Sequence, residues 1–252
     1  MRIFLIKLIT SIVVSFSAIS NVYALDVLEK EEIGKFIREY LIENPEIIAE
    51  AQAALELRLA EQEKIRTREM IAGMSDRLYK SEGDVIIGNP DADVTIVEFF
   101  DYNCGFCKRA MNDMQEIVSL DPNVKFVLKE FPILGEESLE AARVSMAVAK
   151  IAPEKGADFH MALLGGGGRA GKDKAMKVAE NLGVDMPSLT TALEDDTLLD
   201  PVSVTYGLAQ ELGINGTPSY VVGNEAVYGA VGVTELLLKV KNLRLCGETT
   251  CS

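Results

Sequence analysis

The residues with the clearest capacity for chemistry are Cys104-Gly105-Phe106-Cys107. Two thiols separated by two residues can close and open a disulfide within one helical turn. A strand-like run, Val94 to Phe100, precedes them, and a helix-like run, Lys108 to Met114, follows. At such a junction the first thiol meets the unpaired N–H groups and the positive dipole end of a helix, which favour a thiolate. The second thiol lies about one turn on and can attack a mixed disulfide formed by the first. Zinc sites use the same spacing. Here, however, His160 is the only histidine among 252 residues, and the other two cysteines, Cys246 and Cys251, stand far along the chain. A zinc site would need all four cysteines. Dithiol chemistry is therefore the favoured reading, and it calls for no metal and no cofactor.

The first residues bear on the compartment. Arg2 and Lys7 precede a mostly apolar run from Leu8 to Ala18, and Val22-Tyr23-Ala24 ends on a small residue. That is the layout of a secretory leader cleaved after Ala24. The alternative is an uncleaved anchor, for which the run is short against the roughly 20 residues of a bilayer span. Export would place the dithiol in the periplasm, where disulfides form and persist. Cleavage would leave 228 residues, with 39 acidic side chains against 23 basic ones. So acidic a chain is a poor match for nucleic acid or an anionic membrane. A core of this size needs no disulfide framework, which leaves the cysteines for chemistry and one staple. In an oxidising compartment Cys246 and Cys251 are expected to form that staple, with a second redox pair as the alternative.

The elements that must hold the dithiol read as follows. Residues 25–80 are helical in pattern. Ile33, Phe36, Ile37, Tyr40 and Leu41 recur at helical spacing, and Asn44-Pro45 caps a long second helix carrying Ile47, Ile48, Ala51, Leu55, Leu59 and Ile65. The region is too narrow to bury this stripe by itself. The stripe calls for either the rest of the chain or a second copy. Self-association is the preferred partner, and the spacing itself does not choose. Ser81 to Asp84 reads as a linker. Val85-Ile86-Ile87, Val94 to Phe100 and Val124 to Lys129 read as strands, the last two joined by a helix in a βαβ unit. A helical insert covers about residues 138–212 and is interrupted by Gly165 to Gly168, a flexible loop in this reading. Ser219 to Tyr228 reads as a hairpin turning at Gly223-Asn224, and Val233 to Leu243 as a closing helix.

Three separated motifs then carry a family resemblance. Glu98-Phe99-Phe100-Asp101-Tyr102-Asn103-Cys104-Gly105-Phe106-Cys107 resembles the active-site segment of the DsbA-like branch of the thioredoxin superfamily. Gly216-Thr217-Pro218-Ser219-Tyr220 resembles its cis-proline segment, and Lys129 to Gly135 also matches the branch. Tyr40 to Glu46 resembles the N-terminal extension of ScsC-like members, a region used for oligomerisation in the family. The resemblance implies an α/β thioredoxin fold with a helical insertion, preceded by a helical arm. The implied layout is a leader over 1–24, an oligomerisation region over 25–80 and a DsbA-like domain over 81–252.

The resemblance also implies roles. Cys104 is the expected nucleophile and Cys107 the buried partner that resolves the mixed disulfide. Thr217-Pro218 is expected as a cis peptide beside the sulfurs, presenting the Thr217 backbone to a substrate chain. Glu98 matches the family's buried acidic residue. Strand alternation puts it on the inward face with Val94 and Ile96, where it could move the proton of Cys107. Lys129, on the neighbouring strand, is expected as its charge partner. Gly105 and Phe106 tune the exchange. The family's strong oxidases carry a histidine between the cysteines; Phe106 in its place, with Thr217 before the proline, leans toward isomerase-like members. His160 reads as a structural histidine.

The implied activity is thiol–disulfide exchange on exported, unfolded or wrongly bridged proteins, with a membrane thiol redox partner, as an isomerase or reductase. The alternatives weighed against it are a DsbA-like oxidase, a copper-tolerance protein holding Cu(I) on the same dithiol, and a structural protein with an inert domain.

Overall fold

The computed structural model describes residues 26–251. The expected leader and its expected cleavage after Ala24 lie outside them. Among the described residues, no helix is long and apolar enough to cross a membrane.

In chain order the elements begin with α1 (Val27–Glu43), α2 (Glu46–Gly73) and α3 (Ser75–Tyr79). Next come β1 (Val85–Gly88), β2 (Val94–Phe100), α4 (Gly105–Leu120) and β3 (Val124–Glu130). The insert holds α5 (Glu136–Ile151), α6 (Gly156–Gly165), α7 (Lys172–Asn181), α8 (Met186–Ala192) and α9 (Asp200–Glu211). The hairpin β4 (Ser219–Val222) and β5 (Glu225–Tyr228) precedes α10 (Val233–Cys246).

The strands form one sheet in the order β1-β3-β2-β4-β5. Among neighbouring strands only β2 and β3 run parallel, joined by the crossover helix α4, which returns the chain to the same end of the sheet. This is the thioredoxin arrangement with a helical insertion that the motifs imply. The hairpin turns where Gly223 takes φ +56°, a conformation that suits glycine.

Strand alternation divides the core in two. Ile96, Phe100, Phe126, Leu128, Tyr220 and Val222 face one side, where α4, α6, α10 and much of the insert cover them. Val97, Phe99, Val127 and Val221 face the other, under α9, α3 and the end of α2. Ile71, Met74 and Leu78 are buried in this second cluster. The expected domain boundary at residue 80 therefore differs from the packing, since residues 71–78 belong with the sheet. The chain divides into two compact units after Arg58. In the first unit the apolar side chains stand in the open: Phe36 is 66% exposed, Ile42 67% and Leu57 75%.

Candidate active site

The dithiol sits where β2 ends and α4 begins. Cys104 is the N-cap residue of α4, with extended backbone angles (φ −79°, ψ 116°). A cap residue turns its side chain back over the first turn, whose N–H groups have no helical acceptor. The Cys107 N–H accordingly donates to Cys104 Sγ at 3.3 Å. Cys107 falls one turn on, facing inward, fully buried beside Ala110 and Met114. Both thiols are free.

The loop before β4 closes the site from another element. Thr217-Pro218 is a cis peptide. The Cys104 thiol donates to the Thr217 carbonyl at 3.1 Å. Gly105 and Phe106 are exposed between the cysteines, and the Arg109 guanidinium lies 4.4 Å from the Phe106 ring centroid.

The two thiols are pushed apart in acidity. A hydrogen bond from the Cys107 thiol brings Cys104 down to about 5, against the opposing effect of burial. The Thr217 side chain and the N–H groups of Cys107 and Phe106 add to the lowering. Burial pushes Cys107 far above the usual thiol range, and its bond to Cys104 adds to this. These shifts favour a thiolate at Cys104 and a protonated thiol at Cys107, both buried; ionised Cys104 gives up its donor contact to the Thr217 carbonyl and keeps the Cys107 N–H.

Glu98 lies within the core under this pair, 1% exposed, and neither carboxylate oxygen has a hydrogen-bond partner. Burial pushes it up to about 8, with the charges of Cys104 and Asp113 adding to the rise. Its charge in turn helps raise Cys107.

Lys129 is not the partner of Glu98. In the parallel register Glu98 stands opposite Leu128, and Lys129 opposite Phe99. One position of offset sends the two side chains to opposite faces of the sheet. Lys129 Nζ instead donates to Asp84 Oδ2 (2.6 Å), the Arg77 carbonyl (2.7 Å) and Ser81 Oγ (2.9 Å). Burial lowers Lys129 and outweighs its pull on Asp84, which rises to about 6. The stretch 81–84, read as a linker, thus anchors buried Lys129 through the part-buried Asp84.

Several polar residues escaped the sequence reading. Asp101, buried, accepts from Asn103 N (2.7 Å), Ser138 Oγ (2.8 Å) and Leu134 N (2.9 Å). The Asn103 amide donates to Ser138 Oγ (2.9 Å) and the Ala170 carbonyl (2.8 Å), and accepts from Ala170 N (2.7 Å). Tyr102 and Ser145 hydroxyls meet at 2.9 Å, and both bond the buried Glu130 carboxyl, which burial pushes up to about 8. The place of Asp101 and Asn103 just before Cys104 was the available signal; nothing local marks Ser138, Ser145 or Ala170. His160, buried with both ring nitrogens unpartnered, stands edge-on to Phe100 at 4.5 Å, and burial lowers it to about 3.

Away from the dithiol, Cys246 and Cys251 are joined by a disulfide. The loop they close carries Glu248, which bonds Arg68 and Asn224.

Residues 95–241 match the DSBA-like thioredoxin domain family, more than half of the chain. The chain belongs to the DsbA-like thioredoxin family. Residues 29–62 match a second family, the copper resistance protein ScsC N-terminal domain. Among solved structures, a thioredoxin-like oxidoreductase from Silicibacter pomeroyi DSS-3 is 40% identical, with a TM-score of 0.64 over 68% of this chain and 98% of that one. A linker-deleted ScsC from Proteus mirabilis is 27% identical, with a TM-score of 0.67 over 88% of this chain and 98% of that one. Disulfide bond formation protein D of Bacillus subtilis is 28% identical over 58% of this chain and 70% of its own length. The chain spans only 24% of the length of the Na(+)/H(+) antiporter NhaA 1 of Salinispora arenicola, to which it is 24% identical.

Proposed function

We propose that this DsbA-like chain is a periplasmic protein thiol–disulfide oxidoreductase that acts on exported proteins as an isomerase or reductase. The observation that carries the proposal is the position of Cys104: an N-cap sulfur that accepts from the Cys107 N–H at 3.3 Å and lies against the Thr217 backbone, with Cys107 buried one turn behind it; the lowering of its thiol to about 5 agrees with that position.

The chemistry follows from those positions. The Cys104 thiolate attacks a substrate disulfide; a Cys104–substrate bond forms, and the second substrate sulfur leaves as a thiolate and takes a proton from water. The Thr217 backbone pairs with the substrate chain beside the attacked sulfur. Two exits follow. Another substrate thiolate can displace Cys104, which leaves readily because its pKa is low, and the substrate disulfide has then been moved. Alternatively Cys107 attacks Cys104 Sγ, the substrate is released reduced, and the Cys104–Cys107 pair is oxidised. That exit requires Cys107 to lose a proton in an apolar setting; Glu98, raised to about 8 and so ionised only as a minor form at neutral pH, is in that form the group placed to take it. A membrane thiol partner would then return the pair to the dithiol.

Phe106 between the cysteines and Thr217 before the proline support isomerase-like behaviour over a strong oxidase. The apolar residues exposed in the first unit support self-association through residues 25–80, which would give misfolded chains a shared cleft. The match of residues 29–62 to the ScsC N-terminal domain points the same way.

The test is recovery of activity from scrambled-disulfide ribonuclease by the reduced protein, with Cys104→Ala as control. Strong recovery, lost in the control, supports the isomerase. Absent recovery beside fast oxidation of reduced ribonuclease would replace it with an oxidase.

A further inference from the structure

The Gly165–Gly168 run lies beside the dithiol. Cys104, Lys108 and Met111 succeed one another at helical spacing and form one stripe of α4. Lys108 Nζ donates to the carbonyls of Gly166 (3.1 Å) and Gly168 (3.4 Å). A Cβ on Gly165 would stand 3.2 Å from Met111 Cε. On the other side of the motif, the Asn103 amide grips both the N–H and the carbonyl of Ala170. The residues that immediately flank Cys104 and Cys107 therefore hold this segment at both ends. Lys174 Nζ completes the fixing by donating to the Gly167 carbonyl at 2.8 Å. A glycine run expected to be a flexible loop has three successive carbonyls bound to ammonium groups.

The lack of side chains has two sources. Gly168 has φ +74°, and a Cβ on Gly166 would come within 3.0 Å of Lys174 Nζ and 3.1 Å of the Ala162 carbonyl. Gly167 is under neither constraint: no atom lies within 4 Å of its added Cβ, and the residue is exposed. The fold would accept a side chain there.

We infer that the Gly165–Gly168 run is a wall of the substrate site, a side-chain-free shelf along which the main chain of an extended polypeptide lies once its sulfur is joined to Cys104. The inference rests on the exchange reading of Cys104. Glycine permits close approach of a second backbone. The Lys108 and Lys174 ammonium groups make the shelf electropositive, which suits the carbonyl oxygens of a peptide. A small disulfide that reaches only Cys104 has no use for the shelf.

The test compares two disulfides with the same leaving group, in a Cys107→Ala background that stops after the first step. One is 5,5′-dithiobis(2-nitrobenzoate). The other is an extended peptide whose single cysteine carries a nitrothiobenzoate. In each, a bond forms between Cys104 and the attacked sulfur, and nitrothiobenzoate leaves as a coloured thiolate. Gly167→Leu is expected to slow the peptide reaction about fivefold and to leave the small disulfide within about twofold. Lys108→Met, which releases the carbonyls of Gly166 and Gly168, should shift the ratio in the same direction. Unchanged rates with both probes, or equal slowing of both, would overturn the shelf while leaving the exchange reading intact. No release of nitrothiobenzoate from either probe by the wild-type protein would remove the exchange reading and the shelf with it.

Discussion

Replacing Glu98 by Gln should make the stability of this protein less sensitive to pH, and the size of the effect follows from the position of the carboxyl. Burial raises the folded carboxyl to about 8 from an ordinary value of 4.5. The folded state therefore holds the proton more tightly than the unfolded chain. The stability this gives is complete below pH 4.5 and is lost as pH rises toward 8. Between pH 5 and pH 8 the loss integrates to about 3 kcal/mol. The substituted amide would keep the shape without the charge. Left unsatisfied, it would cost about 1–3 kcal/mol, but equally at every pH. Urea denaturation of both proteins at pH 5 and pH 8, with the dithiol reduced, separates the two contributions. Relative to wild type, Glu98→Gln should gain about 3 kcal/mol on going from pH 5 to pH 8. Parallel pH dependences would refute the reasoning, because they would mean that the carboxyl is as well solvated in the folded state as in the unfolded one. The same variant should slow the attack of Cys107 on a preformed mixed disulfide, on the order of a hundredfold, if Glu98 takes its proton.

Other perturbations act elsewhere in the molecule. Lys129→Ala should destabilise the fold by about 3 kcal/mol, because it leaves part-buried Asp84 uncompensated, yet the Cys104 titration should not move, since Lys129 lies on the other face of the sheet. Adding Asp84→Leu should recover much of that loss, which denaturation would show. His160 is lowered from 6.5 to about 3, so neutral His160 contributes stability above pH 6.5 that is lost as pH falls. His160→Leu should retain about 3 kcal/mol more than wild type between pH 6.5 and pH 4, by thermal or urea melts. Phe36→Glu with Ile37→Glu should convert an oligomer to a monomer in sedimentation, while exchange with a small disulfide continues; an unchanged sedimentation profile would remove residues 25–80 from the interface.

The features legible in the sequence were those with local signals. The strand, dithiol and helix follow one another within residues 94–120, and the hairpin announces itself at Gly223-Asn224. Helical periodicity located most of the insert. What the sequence hid depends on register and on long-range packing. Glu98 and Lys129 sit on adjacent strands, and only the pairing of Phe99 with Lys129 reveals that they face opposite ways. The partners Asp84 and Ser81 lay in a stretch with the composition of a linker. Ile71, Met74 and Leu78 continue the helical pattern of the preceding arm, so no change in composition marked where the chain begins to cover the sheet. Asn103 and Ala170 are 67 residues apart, and a glycine run gives no side-chain clue to what holds it.

The most direct test of the central claim is the pH dependence of alkylation of the reduced protein, read separately at Cys104 and Cys107 by peptide mass spectrometry. Cys104 is expected to react with a midpoint near pH 5, while Cys107 stays unmodified through neutral pH. A Cys104 midpoint near 9, or comparable labelling of both thiols, would contradict it.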